Sequence, residues 1–589
     1  MKKVIVFILL LVVVAVATEK LSTVRPYEPI VINGWSAREY TGVPVNEIFV
    51  FAYDSDSESW SMIPFQIDER VKLDDPFYEN RAPRHFYVQP NTNSFMYSIT
   101  DTLPEWDVDD ELSFMAADLG DKAPDDSWID NEEAVTHDRL ELRFVDPLNS
   151  DCEGYAYLYR SSTLTMPDSV ATKYGMSFEP YQHIVESNMY RVRLQRQQTS
   201  AQNGLLSNVS IKSPFGTGVD IFDIQKLRFQ GSITRGSFYL PIGKNGTPAG
   251  DEDFLVVYDN EDYLSYTANP VVRVVREVRQ TVGGQNSRID EFGFYVRTKF
   301  YPFSGTIEGG ASLHSDSLSS ELDPGEDYYV ELEYIRQSWD LNANAAGMRY
   351  YNRHNTGIVV DGNPDQVDTS VDVPISEWNM VSGEQGTFFN YVELEESNWQ
   401  SVQLYYRDNA GGGVSDDIDA ENSDTGDMKS YGDHGLMMHR QTDPGNINLE
   451  LGFIAYFLPA NKDRVFAEKL ATWIQTPIRP PQHRLVAGVD DVAHSVPDAF
   501  RLWQNYPNPF NGTTRVRFAL SRPQHLVISV YDLTGKEVVR LADDHFPGGV
   551  HELAWAATNS RGESVASGLY ILKLSAADVV QTRKLVYIR

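Results

Sequence analysis

A single cysteine, Cys152, stands in 589 residues, so no disulfide can form within the chain. That excludes the small stapled scaffolds common among secreted proteins, and leaves Cys152 the expected role of a small buried apolar group. Long apolar runs are equally scarce, and after residue 17 none could cross a bilayer. There is no phosphate-cradling glycine loop, no serine nucleophile elbow and no Cys/His cluster suited to zinc. Positive charge is short too: 50 Lys and Arg face 84 Asp and Glu, a net −34. A nucleic acid or an anionic membrane would be repelled by such a chain, because both bind by replacing counterions with protein cations. The deficit is uneven, since Trp503 to Arg589 holds ten Lys or Arg against seven Asp or Glu.

What is there suffices for a large core: 41% hydrophobic and 12% aromatic residues, over a length that implies three or four domains. Met1-Lys2-Lys3, the apolar run Val4 to Val14 and Ala15-Val16-Ala17 have the charged, apolar and small-x-small parts of a signal peptide over 1–17. Cleavage before Thr18 would leave a mature chain without a transmembrane anchor. No cysteine follows the apolar core, so no lipid anchor is expected.

The periodicity that follows is that of strands. Residues 18–150 alternate as an N-terminal β-sandwich, with Ile48 to Tyr53, Leu112 to Ala117 and Leu140 to Val145 among its strands. Asp68-Glu69 and Asp110-Glu111 are expected just outside strand ends, in solvated turns, and Asp118-Leu119-Gly120-Asp121 reads as a closing turn. Over 151–475 the strands lengthen and fill with β-branched and aromatic residues, as in Val271 to Val278 and Tyr328 to Ile335. About 300 residues of antiparallel strand require two large stacked sheets, and Arg273, Arg276, Arg279, Arg297 and Lys299 are expected on solvated faces. One helix is predicted, Asn461 to Ile474. Asp463 is its cap, and Val465, Phe466, Leu470 and Trp473 form a stripe against an outer sheet face. The proline-rich 476–500 reads as a linker.

Residues 501–589 present seven short alternating strands, an immunoglobulin-like sandwich. Four motifs stand out: Asn505-Tyr506-Pro507-Asn508-Pro509-Phe510-Asn511, Tyr531 to Lys536, Val565 to Tyr570, and Lys584-Leu585-Val586. In this order they resemble the type A C-terminal sorting domain of the type IX secretion system and the related FlgD-like immunoglobulin module. The resemblance implies an export signal met by secretion machinery at the outer membrane, and a protein delivered through the periplasm to the cell surface or beyond. The segments Asn269 to Arg273 and Thr356 to Gly362 resemble the β-supersandwich of galactose-mutarotase-like proteins and polysaccharide lyases. That likeness implies a sugar lying across a concave sheet. The fold class is thus all-β: an N-terminal sandwich, a large antiparallel supersandwich-like region and a C-terminal immunoglobulin-like sandwich.

Two stretches could carry chemistry. Tyr350-Tyr351-Asn352-Arg353-His354 places Tyr351, Arg353 and His354 together, and proton abstraction beside a carboxylate needs a base next to a charge-neutralising group. Tyr431-Gly432-Asp433-His434-Gly435, with His439 after it, is the second. A glycine-flanked acidic run offers Asp416, Asp417, Asp419, Glu421, Asp424 and Asp427 as oxygen ligands for calcium, without the EF-hand spacing. The expected work is binding of carbohydrate, a polysaccharide ligand included. The alternatives are a lyase or mutarotase-like enzyme using Arg353 and His354, and a purely structural surface protein.

Overall fold

The computed structural model describes residues 19–73, 84–88, 105–180, 182–194, 206–235, 238–242, 253–254, 256–267, 269–283, 292–314, 328–370, 376–393, 401–410, 430–439, 446–488, 500–502, 505, 508, 510–520, 524–546, 549–561, 563–576 and 580–588. They form two compact units, divided between Gly488 and Val489. Both are built of antiparallel sheets, as the alternation predicts.

The first unit begins with a sandwich. One sheet runs Pro29–Asn33, Glu111–Met115, Gln66–Leu73, Arg84–Val88; the other runs Gln482–Val486, Arg139–Asp146, Asn149–Arg160, Ile48–Asp54, Ser59–Met62. Their inner faces share a core of Leu112, Phe114, Leu140, Leu142, Phe144, Tyr157 and Tyr159. Cys152 is buried in that core, and burial holds its thiol above the ordinary range. Two expected boundaries move. Asn149–Arg160 is the hairpin partner of Arg139–Asp146, so the first sandwich runs to Arg160 rather than stopping at 150. Residues 482–486, within the stretch expected as linker, add a strand to the same sheet. Ion pairs fix that edge: Arg484 Nη2 lies 2.9 Å from Glu141 and 2.7 Å from Asp125.

A small four-stranded sheet follows, Ser177–Glu179 to Leu206–Ile211. Its strand Tyr190–Leu194 alternates buried and exposed side chains strictly. Beyond it lie the two large sheets that the strand length demanded, one of six strands and one of nine. Trp339 of the six-stranded sheet meets Phe388 of the nine-stranded sheet at 5.3 Å, edge to face, within one continuous core. The outer face of the nine-stranded sheet carries the helix Arg464–Gln475, which buries Ala467, Leu470, Ala471 and Trp473 against Trp378, Phe389 and Tyr456. Asp463 caps it, accepting from Phe466 N at 2.9 Å. Val465 departs from the expected stripe and is 71% exposed. Two residues before the buried Ala467, it lies on the opposite face of the helix, a turn before the exposed Glu468 and Lys469.

The largest correction concerns charge. Asp68, Asp110 and Glu111 were expected in solvated turns, and Arg273 and Arg276 on solvated faces; all five are buried. Arg273 crosses from the nine-stranded region to the first sandwich, with Nε 2.6 Å from Asp68 and Nη2 2.7 Å from Glu111. Alternation reports which face a residue occupies, and has no term for a second layer packed on that face. Asp110 accepts from the backbone N–H of Asp107 and of Arg70. Burial, with Asp107 and Glu69 nearby, still lifts its carboxyl to about 7.

The second unit is the predicted seven-stranded sandwich, of three strands (Phe500–Leu502, Thr514–Leu520, Gly549–Trp555) and four (Glu537–Phe546, Gln524–Tyr531, Gly568–Ser575, Val580–Tyr587). Its core holds Phe510, Phe518, Trp555, Leu572 and Leu585. Among the described residues no helix is long and apolar enough to cross a membrane.

Candidate functional site

Tyr351, Arg353 and His354 share one tight hairpin of the nine-stranded sheet, between Arg349–Asn352 and Thr356–Val359. Asn352 holds the turn: its Oδ1 accepts from His354 N at 2.9 Å, Asn355 N at 2.6 Å and Asn355 Nδ2 at 2.9 Å. Asn355 in turn exchanges hydrogen bonds with the backbone of Asp368. Tyr351 packs on the aromatic layer under the helix. Arg353 has Nε 3.4 Å from Glu377, which is buried, and its carbonyl accepts from Arg464 Nη2. The cation expected to neutralise a substrate carboxylate is therefore already engaged with a carboxylate of the fold.

The second stretch meets the first through the core. Tyr350 packs its ring 4.5 Å from Tyr406 and 5.4 Å from His434, which face each other on neighbouring strands of the six-stranded sheet. His434 Nδ1 lies 2.7 Å from Gly432 O, so Nδ1 carries the proton. Burial depresses this imidazole to about 4, outweighing the Gly432 contact and Asp433. Tyr350 and Tyr406 are raised by burial. Asp408, binding the N–H groups of Asp361 and Gly362, is lifted by burial to about 6. A weakly basic, fully enclosed imidazole between un-ionised phenols packs two sheets together, and offers a substrate no approach.

His434 makes the fold acid-sensitive. Its folded value near 4 lies below the ordinary 6.5, so the unfolded chain takes up a proton first as the pH falls. The neutral-pH stability is fully present above 6.5 and is progressively lost toward 4. The loss expected is about 3 kcal/mol. Urea titrations at pH 7, 5.5 and 4.5 should show a shallower decline for His434→Asn than for the wild type. Equal slopes would mean that His434 does not set the acid sensitivity of the fold.

A cleft of about 410 Å³ opens on the first sandwich. Its walls bring together Lys20, Asp54, Asp118, Asp121 and Lys173 beside Met62, Ile63 and Pro64. Asp118, whose side chain is fully enclosed, takes Lys173 Nζ at 2.6 Å and the Tyr174 hydroxyl at 2.7 Å. Burial raises its carboxyl despite both partners. Asp121 takes Lys20 Nζ at 2.8 Å with the N–H and hydroxyl of Ser55. Its burial is outweighed by these bonds, and its carboxyl is held below the ordinary range. Lys20 is raised, first by that same bond. Sequence spacing gave no sign of this cleft. Asp118 and Asp121 looked like turn residues, and their lysines lie 55 and 101 positions away. The carboxylates expected to hold calcium, Asp416 to Asp427, lie outside the described residues. Among the described residues no three His, Cys, Asp or Glu side chains are grouped to hold a metal ion.

Comparison with known proteins decides the second unit. Residues 504–588 match the family described as the secretion system C-terminal sorting domain. The C-terminal unit is a sorting domain. A protein that carries it is cargo of the type IX secretion system, destined for the cell surface or for release. No curated protein matches the chain. Among solved structures, a polysaccharide lyase is 10% identical at a TM-score of 0.22, over 68% of this chain and 46% of its own. A galactose mutarotase-like protein from Lactobacillus casei is 7% identical at 0.22, over 48% and 100%. PorU of Porphyromonas gingivalis, in its latent dimeric form, is 12% identical at 0.14, over 65% and 31%. This chain spans under half of the lyase. All three likenesses are weak.

Proposed function

We propose that the sorted cargo is a carbohydrate-binding protein, and that a neutral sugar occupies the cleft of the first sandwich. The supporting observation is the lining of that cleft: paired carboxylates and ammonium groups set against an apolar wall. Each sugar hydroxyl donates once and accepts up to twice; the Lys20–Asp121 pair presents both functions, and Lys173, anchored by the enclosed Asp118, adds a donor. Met62, half-buried and backed by the buried Ile63 and Pro64, suits the C–H face of the ring. Its volume lies within the range of small-ligand sites, about 300 to 1,000 Å³. Three carboxylates to two ammonium groups leave the cleft acidic, which selects against uronate-rich polymers.

Binding is favoured over turnover by the engagement of Arg353 with Glu377 and by the enclosure of His434. A glycan microarray probed with the full-length protein should show binding to neutral glycans. Lys20→Met should weaken the signal about tenfold, the loss of one charge-assisted hydrogen bond, with an unchanged melting temperature. Release of new reducing ends or unsaturated products from any polymer would replace binding with catalysis.

A further inference from the structure

The four sorting-domain motifs, scattered over eighty residues, converge at one end of the C-terminal sandwich. Strand Gln524–Tyr531 pairs with Gly568–Ser575, Tyr531 opposite Ile571, so the turn Asp532 to Lys536 leaves the sheet where the Val565 to Tyr570 motif enters it. Strand Val580–Tyr587 pairs with Gly568–Ser575, Gly568 opposite Tyr587, so Ile588 emerges at the same end. The first motif docks there as well. Phe510 N donates to Val586 O at 3.0 Å, and Ile588 N to Phe510 O at 2.9 Å. Asn508 accepts from Val586 N at 2.7 Å and donates to Lys584 O at 3.1 Å, covering a strand edge that would otherwise face solvent.

Several motif residues build this end. Asn505 donates to Thr514, Phe510 and Tyr570 are core residues, and Asp532 fixes its turn. Its Oδ1 accepts from Thr534 N, Thr534 Oγ1 and Lys536 N, while Gly535 takes a φ of 83° that favours glycine. Among polar and small exposed residues such as Thr534, Ser567 and Lys584, this rigid frame presents two large apolar side chains: Leu533 is 68% exposed at the tip of the turn, and Ile588 is 53% exposed beside the docked loop. Lys536, also exposed, supplies a cation next to Leu533. A large apolar side chain on a turn fixed by this many hydrogen bonds loses little conformational freedom on docking.

We infer that this end is the surface by which the sorting domain is read, with Leu533 and Ile588 entering an apolar pocket of the export machinery whose rim carries carboxylates for Lys536. The inference rests on the assignment of the unit as a sorting domain. The charge of the chain supports the acidic rim: this unit is net positive, whereas the remainder holds the whole negative excess. A receptor with an acidic rim therefore attracts the unit and repels the cargo behind it.

The test has a matched control on the same strand. Val580, 54% exposed and opposite Ser575, lies at the other end of the sheet. In a bacterium with a working type IX system, full-length Leu533→Asp and Ile588→Asp should be exported about tenfold less, the effect of a charge placed in a central interface pocket. Val580→Asp should be exported like the wild type, and all three purified variants should melt with it. A chain ending at Leu502 should stay inside. Normal export of Leu533→Asp and Ile588→Asp, with the truncated chain retained, overturns the surface and leaves the sorting assignment standing. Equal retention of Val580→Asp also overturns it. Export of the truncated chain would overturn the assignment itself.

Discussion

Arg273→Ala should be among the most damaging single changes in the first unit, lowering its stability by about 3–5 kcal/mol, as removal of one partner from a buried ion pair does. Asp68 and Glu111 stand directly opposite each other on paired strands. Like charges in that position repel, and here both carboxylates are removed from solvent. Arg273 bridges them, with Nη1 also 3.5 Å from the Tyr301 hydroxyl. Arg70 adds a second cation to Glu111. The same crossing is fixed by Gln66, whose Oε1 accepts from the backbone N–H of Val271, Val272 and Arg273. Arg273→Lys should recover less than half of the loss, because an ammonium cannot span two carboxylates as a guanidinium fork does. Urea denaturation of the three proteins gives the answer. A loss under about 1 kcal/mol for alanine, the level of a surface pair, would mean that the bridge does not hold the two layers together.

Arg25→Ala should cost about 3 kcal/mol, by the same loss of a buried, multiply bonded cation. Arg25 is fully buried near the start of the unit. It donates to Asp146 at 2.7 Å, to Glu28 at 3.0 Å and to the carbonyl of Thr476, just past the helix, at 2.8 Å. Its guanidinium also lies over Trp473, 5.8 Å from the ring centre. Glu28 completes the connection by accepting from Ile478 N at 2.6 Å. Residues 451 positions apart are thus joined by one side chain. The sharper readout is local: amide exchange at Thr476 and Ile478 should speed up about a hundredfold, the equivalent of the stability lost there. Unchanged exchange at these amides would show that the helix terminus is held by packing alone.

Strands and the helix were legible because one face of each is buried, and burial on one face leaves a period that can be read. Asp463 as a cap and the alternation of the seven C-terminal strands are local facts, and they survive unchanged. Arg273 and Asp68 were misplaced because the partner of each comes from another layer, a distance in sequence that periodicity does not register. The cleft was invisible for the same reason, as Lys20 and Lys173 reach Asp121 and Asp118 only through the fold. The Arg353 and His354 stretch was legible as a hairpin rich in polar groups. Its chemistry was not, because Glu377 and Arg464, which engage it, lie on other elements. The sorting motifs were the most legible of all, since turn residues and strand residues at fixed spacing define that sandwich locally.

Isothermal titration of neutral oligosaccharides into the full-length protein and its Lys20→Met variant, side by side, decides whether the cleft holds a sugar. Saturable heat is expected with the wild type, and an affinity about tenfold weaker in the variant, one charge-assisted hydrogen bond being lost. An identical affinity in the two proteins, or no heat with any neutral glycan, would contradict a carbohydrate site in this cleft.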